Sequence, residues 1–174
     1  MSPLGSPELA GALRERGFVD GYAWMKFERG TEPLDVETSL RVERVEDGRD
    51  FGPIIAAAYG MPAEAATTFD ALPRTDGWHC FVAYDGDDAA GAAALYVHGT
   101  TAWLGVAGTA PEHRRKGAQT ALLAARIAAG RAEGVHRFTT ETGERIPDRP
   151  SNSYRNILRA GFEERYVRPN AVAP

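Results

Sequence analysis

The stretch Thr109-Ala-Pro-Glu-His-Arg-Arg-Lys-Gly-Ala-Gln-Thr120 gathers most of the chemistry this chain offers. Three consecutive cations and a glycine stand where a strand-like run, 101–108, hands over to a helix-like run, 118–133. The first turn of a helix carries backbone N–H groups with no partner inside the helix, and the positive end of the dipole lies there. Such a turn holds a phosphate through backbone alone. Arg114, Arg115 and Lys116 add charge for a second or third phosphate. The pattern reads as a seat for a polyphosphate cofactor. It is not a nucleotide-binding P-loop, because Lys116-Gly117 lacks the Gly-x4-Gly-Lys-Ser/Thr spacing.

Other reactive residue types carry weaker signals. His79 and Cys80 are adjacent on a strand-like run, so they face opposite sides and make a poor metal pair. Cys80 reads as a small core residue rather than a nucleophile. His98 and His136 read as structural or exposed. His113 stands beside the phosphate seat, with surface exposure as its default.

The elements that must position the cationic turn follow from turn residues and periodicity. Ser6, Pro7 and Gly17 bracket a short helix over 7–16. A strand over 22–27 follows, then a linker around Pro33, and a second strand near Leu40, Val42 and Val45. Residues 51–59 form a helix closed by Gly60, and a shorter helix is expected over 63–72. Strands over 79–84, 89–98 and 102–108 are joined by Asp85-Gly-Asp-Asp88 and Gly99-Thr100, which implies an antiparallel meander. The helix after Gly117 has an apolar stripe through Leu123 and Ile127 and stops at Gly134. A strand over 137–142, a helix over 152–160 and a strand over 164–167 end the chain. A meander followed by a strand–helix–strand crossover makes an α/β fold with a mixed sheet and helices on both faces.

Composition narrows the function. The 174 residues suit one domain with an appendage: residues 1–38 as a helix–strand appendage and linker, residues 39–174 as the main domain. Apolar residues make up 43% and charged residues 25%, a globular balance. A net charge of −4 argues against nucleic acid as the main partner and is compatible with a cationic small substrate. Cys80 is alone, so a reducing, cytoplasmic setting is expected. No apolar run approaches the ~20 residues of a membrane span, so no membrane partner is expected. The first residues lack the basic and apolar regions of a signal peptide.

One internal echo stands out. Arg16-Gly-Phe-Val-Asp-Gly-Tyr22 repeats the form of Ala160-Gly-Phe-Glu-Glu-Arg-Tyr166: helix end, Gly-Phe, three residues, Tyr, strand. It reads either as coincidence or as the tail of a duplicated domain. A lone helix and strand cannot bury their apolar faces, so Tyr22, Trp24 and Phe27 must dock on the main sheet or on a second copy, which leaves a homodimer open.

Two motifs now carry a resemblance. Pro111-Glu-His-Arg114 followed by Arg114-Arg-Lys-Gly117-Ala-Gln119 is similar to the cofactor motif of the GNAT superfamily of acetyl-CoA-dependent N-acetyltransferases, with Gln119 in place of the final Gly/Ala. Ser153-Tyr-Arg-Asn156-Ile-Leu-Arg-Ala-Gly161-Phe162 resembles that family's last helix and its Gly-Phe end. The resemblance spans roughly residues 39–170. It implies acetyl-CoA as cofactor, bound by Arg114, Arg115, Lys116, Gly117, Ala118, Gln119 and Thr120. It also implies a bulged strand at Ala107, Gly108 and Thr109 that pairs with the pantetheine arm, and Asn152 and Asn156 as bonds to the pantetheine amides, with helix capping as the alternative for Asn152.

For chemistry, the resemblance implies direct acetyl transfer to an amine of a small molecule or peptide. An N–H from Ala107 or Thr109 would meet the developing oxyanion. The base is Glu141, acting through water, or else Glu141 is a structural ion pair, since Ala102, Leu104 and Val106 leave no carboxylate on the bulged strand. The family's usual Tyr position falls on Ile157. Tyr154, one turn earlier, is the candidate acid or packs beneath the cofactor. The rival reading is a non-catalytic acyl-CoA binding or sensing domain.

Overall fold

The computed structural model describes residues 6–146 and 151–174. In chain order the elements are α1 (Pro7–Glu15), β1 (Val19–Asp20), β2 (Trp24–Arg29), β3 (Arg41–Val45), α2 (Phe51–Ala58), β4 (Trp78–Asp85), β5 (Asp88–His98), β6 (Thr101–Thr109), α3 (Ala118–Ala132), β7 (Arg137–Gly143), α4 (Asn152–Arg159), β8 (Glu163–Arg168) and β9 (Ala171–Val172). Short 3-10 turns cover Ala63–Phe69, Leu72–Arg74 and Pro111–His113. Two compact units result: Arg29–Thr139, and Met1–Glu28 with Thr140–Pro174.

In the larger unit, β3, β4, β5 and β6 form the antiparallel meander, in that order. The start of β7 runs parallel to β6: the His136 N–H donates to the Thr100 carbonyl at 2.8 Å, and the Thr139 hydroxyl to the Ala102 carbonyl at 3.2 Å. The sheet is therefore mixed. Both of its faces are covered, which is why β5 carries the run Gly91-Ala-Ala-Ala-Leu95, buried throughout. On one face, Cys80, Val82, Ala92 and Ala94 pack with Phe51, Ile54 and Ile55 of α2. On the other, α3 comes so close that a Cβ on Gly91 would stand 3.2 Å from the Ala118 Cβ. Small residues let the helix and strand backbones approach.

The smaller unit places β2 between β7 and β8, pairing antiparallel with β8. β1 and β9 pair beyond it as a two-stranded ribbon. The α1 helix starts where expected, with the Ser6 hydroxyl accepting from the Leu9 N–H.

Two local readings change, and one pairing was not read from the sequence. The expected helix over 63–72 is two 3-10 turns; Thr67 and Thr68 are β-branched and Pro73 lacks an N–H, so no regular α-helix is favoured there. The cap of α4 is Ser151, whose hydroxyl accepts from the Tyr154 N–H, so Asn152 is not the cap. The β1–β9 ribbon, two residues a side, is too short to show as periodicity.

Candidate functional site

The β6 strand breaks its ladder at Val106, one residue before Ala107, Gly108 and Thr109, the bulge positions that the resemblance implied. Ala93 faces Ala107 and Ala94 faces Gly105, so Val106 is an extra residue in β6. Its φ is 47°, a left-handed conformation that a β-branched residue avoids. Beyond the bulge the Ala110 N–H donates to the Ala90 carbonyl. By alternation the Gly108 N–H points toward β5, and those of Ala107 and Thr109 point to the opposite edge. The Ala107 N–H meets the Tyr59 hydroxyl there, at 3.1 Å. Tyr59 ends α2, and that helix lies against the bulged strand, with no room for a Cβ between Gly108 and Ala58. Burial, the leading influence, raises the Tyr59 pKa, so the phenol keeps its proton at neutral pH.

A buried cation holds the break from beneath. Arg126, 2% exposed, donates through Nη1 to the Ala94 carbonyl at 3.0 Å, with the Gly105 carbonyl at 3.5 Å. Its Nε bonds the Leu122 carbonyl one turn back. Burial pushes the guanidinium down to about 9, which leaves it charged at neutral pH. The bulge disturbs the ladder beside these two carbonyls, and Arg126 supplies their donors. Arg126 received no role from the sequence. The available signal was a charge inside the apolar stripe of Leu122, Leu123 and Ile127.

The cationic turn follows β6. The 3-10 turn Pro111–His113 lifts the chain, and two left-handed residues, Arg115 (φ 68°) and Gly117 (φ 89°), bring it onto α3. Gly117 is the N-cap of α3; the Ala121 N–H bonds its carbonyl, and no side chain caps the end. A Cβ on Gly117 would meet nothing within 4 Å, so the turn opens to solvent. Arg114, Arg115 and Lys116 are exposed, Ala118 is buried, and Gln119 and Thr120 are half-buried. The three cations differ. Lys116 Nζ lies 2.6 Å from Asp85 Oδ2, at the end of β4, and the same oxygen takes His113 Nδ1 at 3.2 Å. The bonds from Lys116 and then His113 hold the Asp85 carboxyl below its usual range. His113 is buried by this tie, against the surface placement expected. The turn fits a diphosphate: a helix start with no side-chain cap and open space above Gly117, two exposed arginines, and a lysine anchored alongside.

The other candidates lie in the smaller unit. Glu141 is ion-paired with Lys26 on the neighbouring strand β2. Burial, then the charge of Arg168, lowers the Lys26 pKa. Tyr154, 4% exposed, packs edge-on against Phe27 with ring centroids 5.0 Å apart, and its hydroxyl donates to Glu164 Oε1 at 2.6 Å. Burial and that bond push the phenol up to about 12. Asn152 is exposed and accepts from Arg155. Asn156 is half-buried on α4.

Two residues outside the site behave as read. Cys80 is fully buried, which pushes its thiol up to about 12 and leaves it inert. His79 faces the α3 side and meets Glu133 at 3.2 Å. Among the described residues, no group of three or more His, Cys, Asp or Glu could hold a metal, and no helix is long and apolar enough to cross a membrane.

A model of the acetyltransferase (GNAT) family matches residues 49–147. No curated protein matches the chain. Among solved structures, a GCN5-related N-acetyltransferase from Sphaerobacter thermophilus is 17% identical with a TM-score of 0.72, over 98% of this chain and 58% of that one. A functionally unknown conserved protein from Staphylococcus epidermidis ATCC 12228 is 14% identical with a TM-score of 0.70, over 95% of this chain and 66% of its own. AAC(6')-Iy, in complex with the bisubstrate analog CoA-S-monomethyl-acetylneamine, is 17% identical with a TM-score of 0.59, over 73% and 92%. The chain thus spans less than two-thirds of the first two proteins.

Proposed function

This chain belongs to the GNAT acetyltransferase family, and from that premise we propose that it transfers an acetyl group from acetyl-CoA directly to an amine of a small molecule or peptide. The observation that carries the reading is one piece of backbone. A strand bulged at Val106, with the Ala107 and Thr109 N–H groups turned away from β5, runs within a few residues into an open cationic turn at the head of α3. The structure of AAC(6')-Iy in complex with a CoA-linked bisubstrate analog adds support.

When bound, acetyl-CoA supplies a thioester-activated acetyl group. Arg114 and Arg115, the backbone from Gly117 to Thr120 and the anchored Lys116 would bind its phosphates. Ala107, Gly108 and Thr109 would pair with its pantetheine arm. An Ala107 or Thr109 N–H would stabilise charge on the carbonyl oxygen. Tyr154 Oη keeps its proton at neutral pH, as an acid must, and Glu141 is the candidate base.

A second reading, acyl-CoA binding without turnover, gains from two contacts. Glu141 is engaged by Lys26, and the Tyr154 hydroxyl is engaged by Glu164. One experiment separates the readings: calorimetric titration with CoA, followed by thiol release from acetyl-CoA across an amine panel. Binding with turnover supports the transferase. Binding without turnover on a broad panel supports the sensor. Absence of binding defeats both.

A further inference from the structure

The smaller unit carries an internal two-fold relation. Gly17 and Gly161, 144 positions apart, are both left-handed, with φ of 80° and 79°, and each is followed by Phe and a strand. The helices before them end in step, at Glu15 and Arg159, and each is capped by a serine hydroxyl accepting from the N–H three residues on. The strand pairing obeys the same offset. Trp24 pairs with Arg168, its own counterpart, so the axis passes through that pair. On one side of it, two residues of β2 oppose three of β8 before Phe27 meets Glu164. On the other side, three residues after Asp20 oppose two before Ala171. The pairs Val19–Val172 and Asp20–Ala171 map onto Glu163–Glu28 and Glu164–Phe27. A chance Gly-Phe repeat does not reproduce caps, a bulge and a register.

The halves are alike in path and unlike in burial. The α4 helix buries Tyr154 and Ile157, and Phe162 follows at 2% exposure. The matching α1 positions, Ala10 and Leu13, are half-exposed, as is Phe18, and no α1 residue is buried. β2 has β8 on one side and β7 on the other, whereas its counterpart β9 pairs, among the described residues, with β1 alone. Exposed apolar side chains lie on these elements: Leu9 of α1, Val19 of β1 and Val172 of β9 are 42, 62 and 51% exposed. The symmetry states what is missing: a sheet under α1, ending in a strand alongside β9.

We propose that residues 7–29 are the closing helix and strands of a second domain of this same fold, and that the α1 face and the β9 edge form its seat. A second copy of this chain does not suit the seat, because the β7 edge of each copy already carries its own β2. The occupant is a domain that lacks its own terminal helix and strands and uses these instead.

The test is hydrogen–deuterium exchange with mass spectrometry, alongside sedimentation, on two proteins. One is the 174-residue chain. The other is the same chain extended so that residues 29–150 of its own sequence run directly into Pro7. In the chain alone, α1 amides are expected to exchange at least about tenfold faster than those of α4. In the extended protein α1 should slow by a similar factor, and Leu13→Arg should return it to the fast rate. Protection of α1 equal to that of α4 in the monomeric chain would overturn the proposal. So would a dimer that protects α1, or an extended protein whose α1 still exchanges fast.

Discussion

The Tyr59 hydroxyl sits 3.1 Å from the Ala107 N–H and is its acceptor. One of the two donors proposed for an acetyl oxygen is thus already engaged by a side chain from the end of α2. A bound thioester carbonyl and this phenol compete for one N–H. Tyr59→Phe removes the competitor. Acetyl-CoA should then bind about three- to fivefold more tightly, the worth of one net hydrogen bond near 1 kcal/mol. CoA without the acetyl group should change less. Calorimetry with both ligands measures the difference; weaker acetyl-CoA binding would instead make the phenol part of the acetyl site.

The cationic turn divides its work. Lys116 spends its charge on Asp85, while Arg114 and Arg115 stand exposed at the mouth of α3. Arg114→Ala with Arg115→Ala should weaken CoA binding by about tenfold or more, and Lys116→Ala by less. The arginine effect should shrink as salt rises, because exposed charges are screened. Titrations at low and high salt decide it, and a larger loss from Lys116→Ala would reverse the assignment.

The order of elements was legible because apolar periods and glycine stops are local. Gly17, Gly60, Gly117, Gly134 and Gly161 each adopt the positive φ that ends or opens a helix, where the sequence placed those boundaries. The cationic turn was legible for the same reason. Long-range pairing was not. Nothing near Lys26 names Glu141 as its partner, and nothing near Asp85 announces Lys116, thirty-one residues away. The bulge was legible only by resemblance; Val106 itself is a good strand former that the fold forces to positive φ.

Arg126 is the residue whose loss should cost most in folding. Arg126→Met keeps the apolar stem and deletes the donors to the Ala94 and Gly105 carbonyls. Two buried acceptors lose their partner, a penalty of about 2–4 kcal/mol. Urea unfolding should report it through a lower midpoint at unchanged slope. Arg126→Lys should recover part of the loss. A penalty below about 1 kcal/mol would mean that the bulge does not depend on this cation.

His79 supplies a pH signature. Its ring is buried beside Glu133, and burial, then the Arg44 charge, lowers its pKa despite the opposing pull of the Glu133 carboxylate. The folded state therefore prefers the neutral imidazole, and the unfolded state protonates first as pH falls. The stability His79 contributes is complete above about 6.5, the unfolded value, and declines as pH drops below it toward the folded value. Asp85 acts in the same direction but at lower pH, because its carboxyl is held below the usual range. His79→Gln should therefore flatten the stability profile just below about pH 6.5 and leave the steeper acid limb in place. Urea midpoints across that range test it, and a variant with the parent slope would remove His79 from the account.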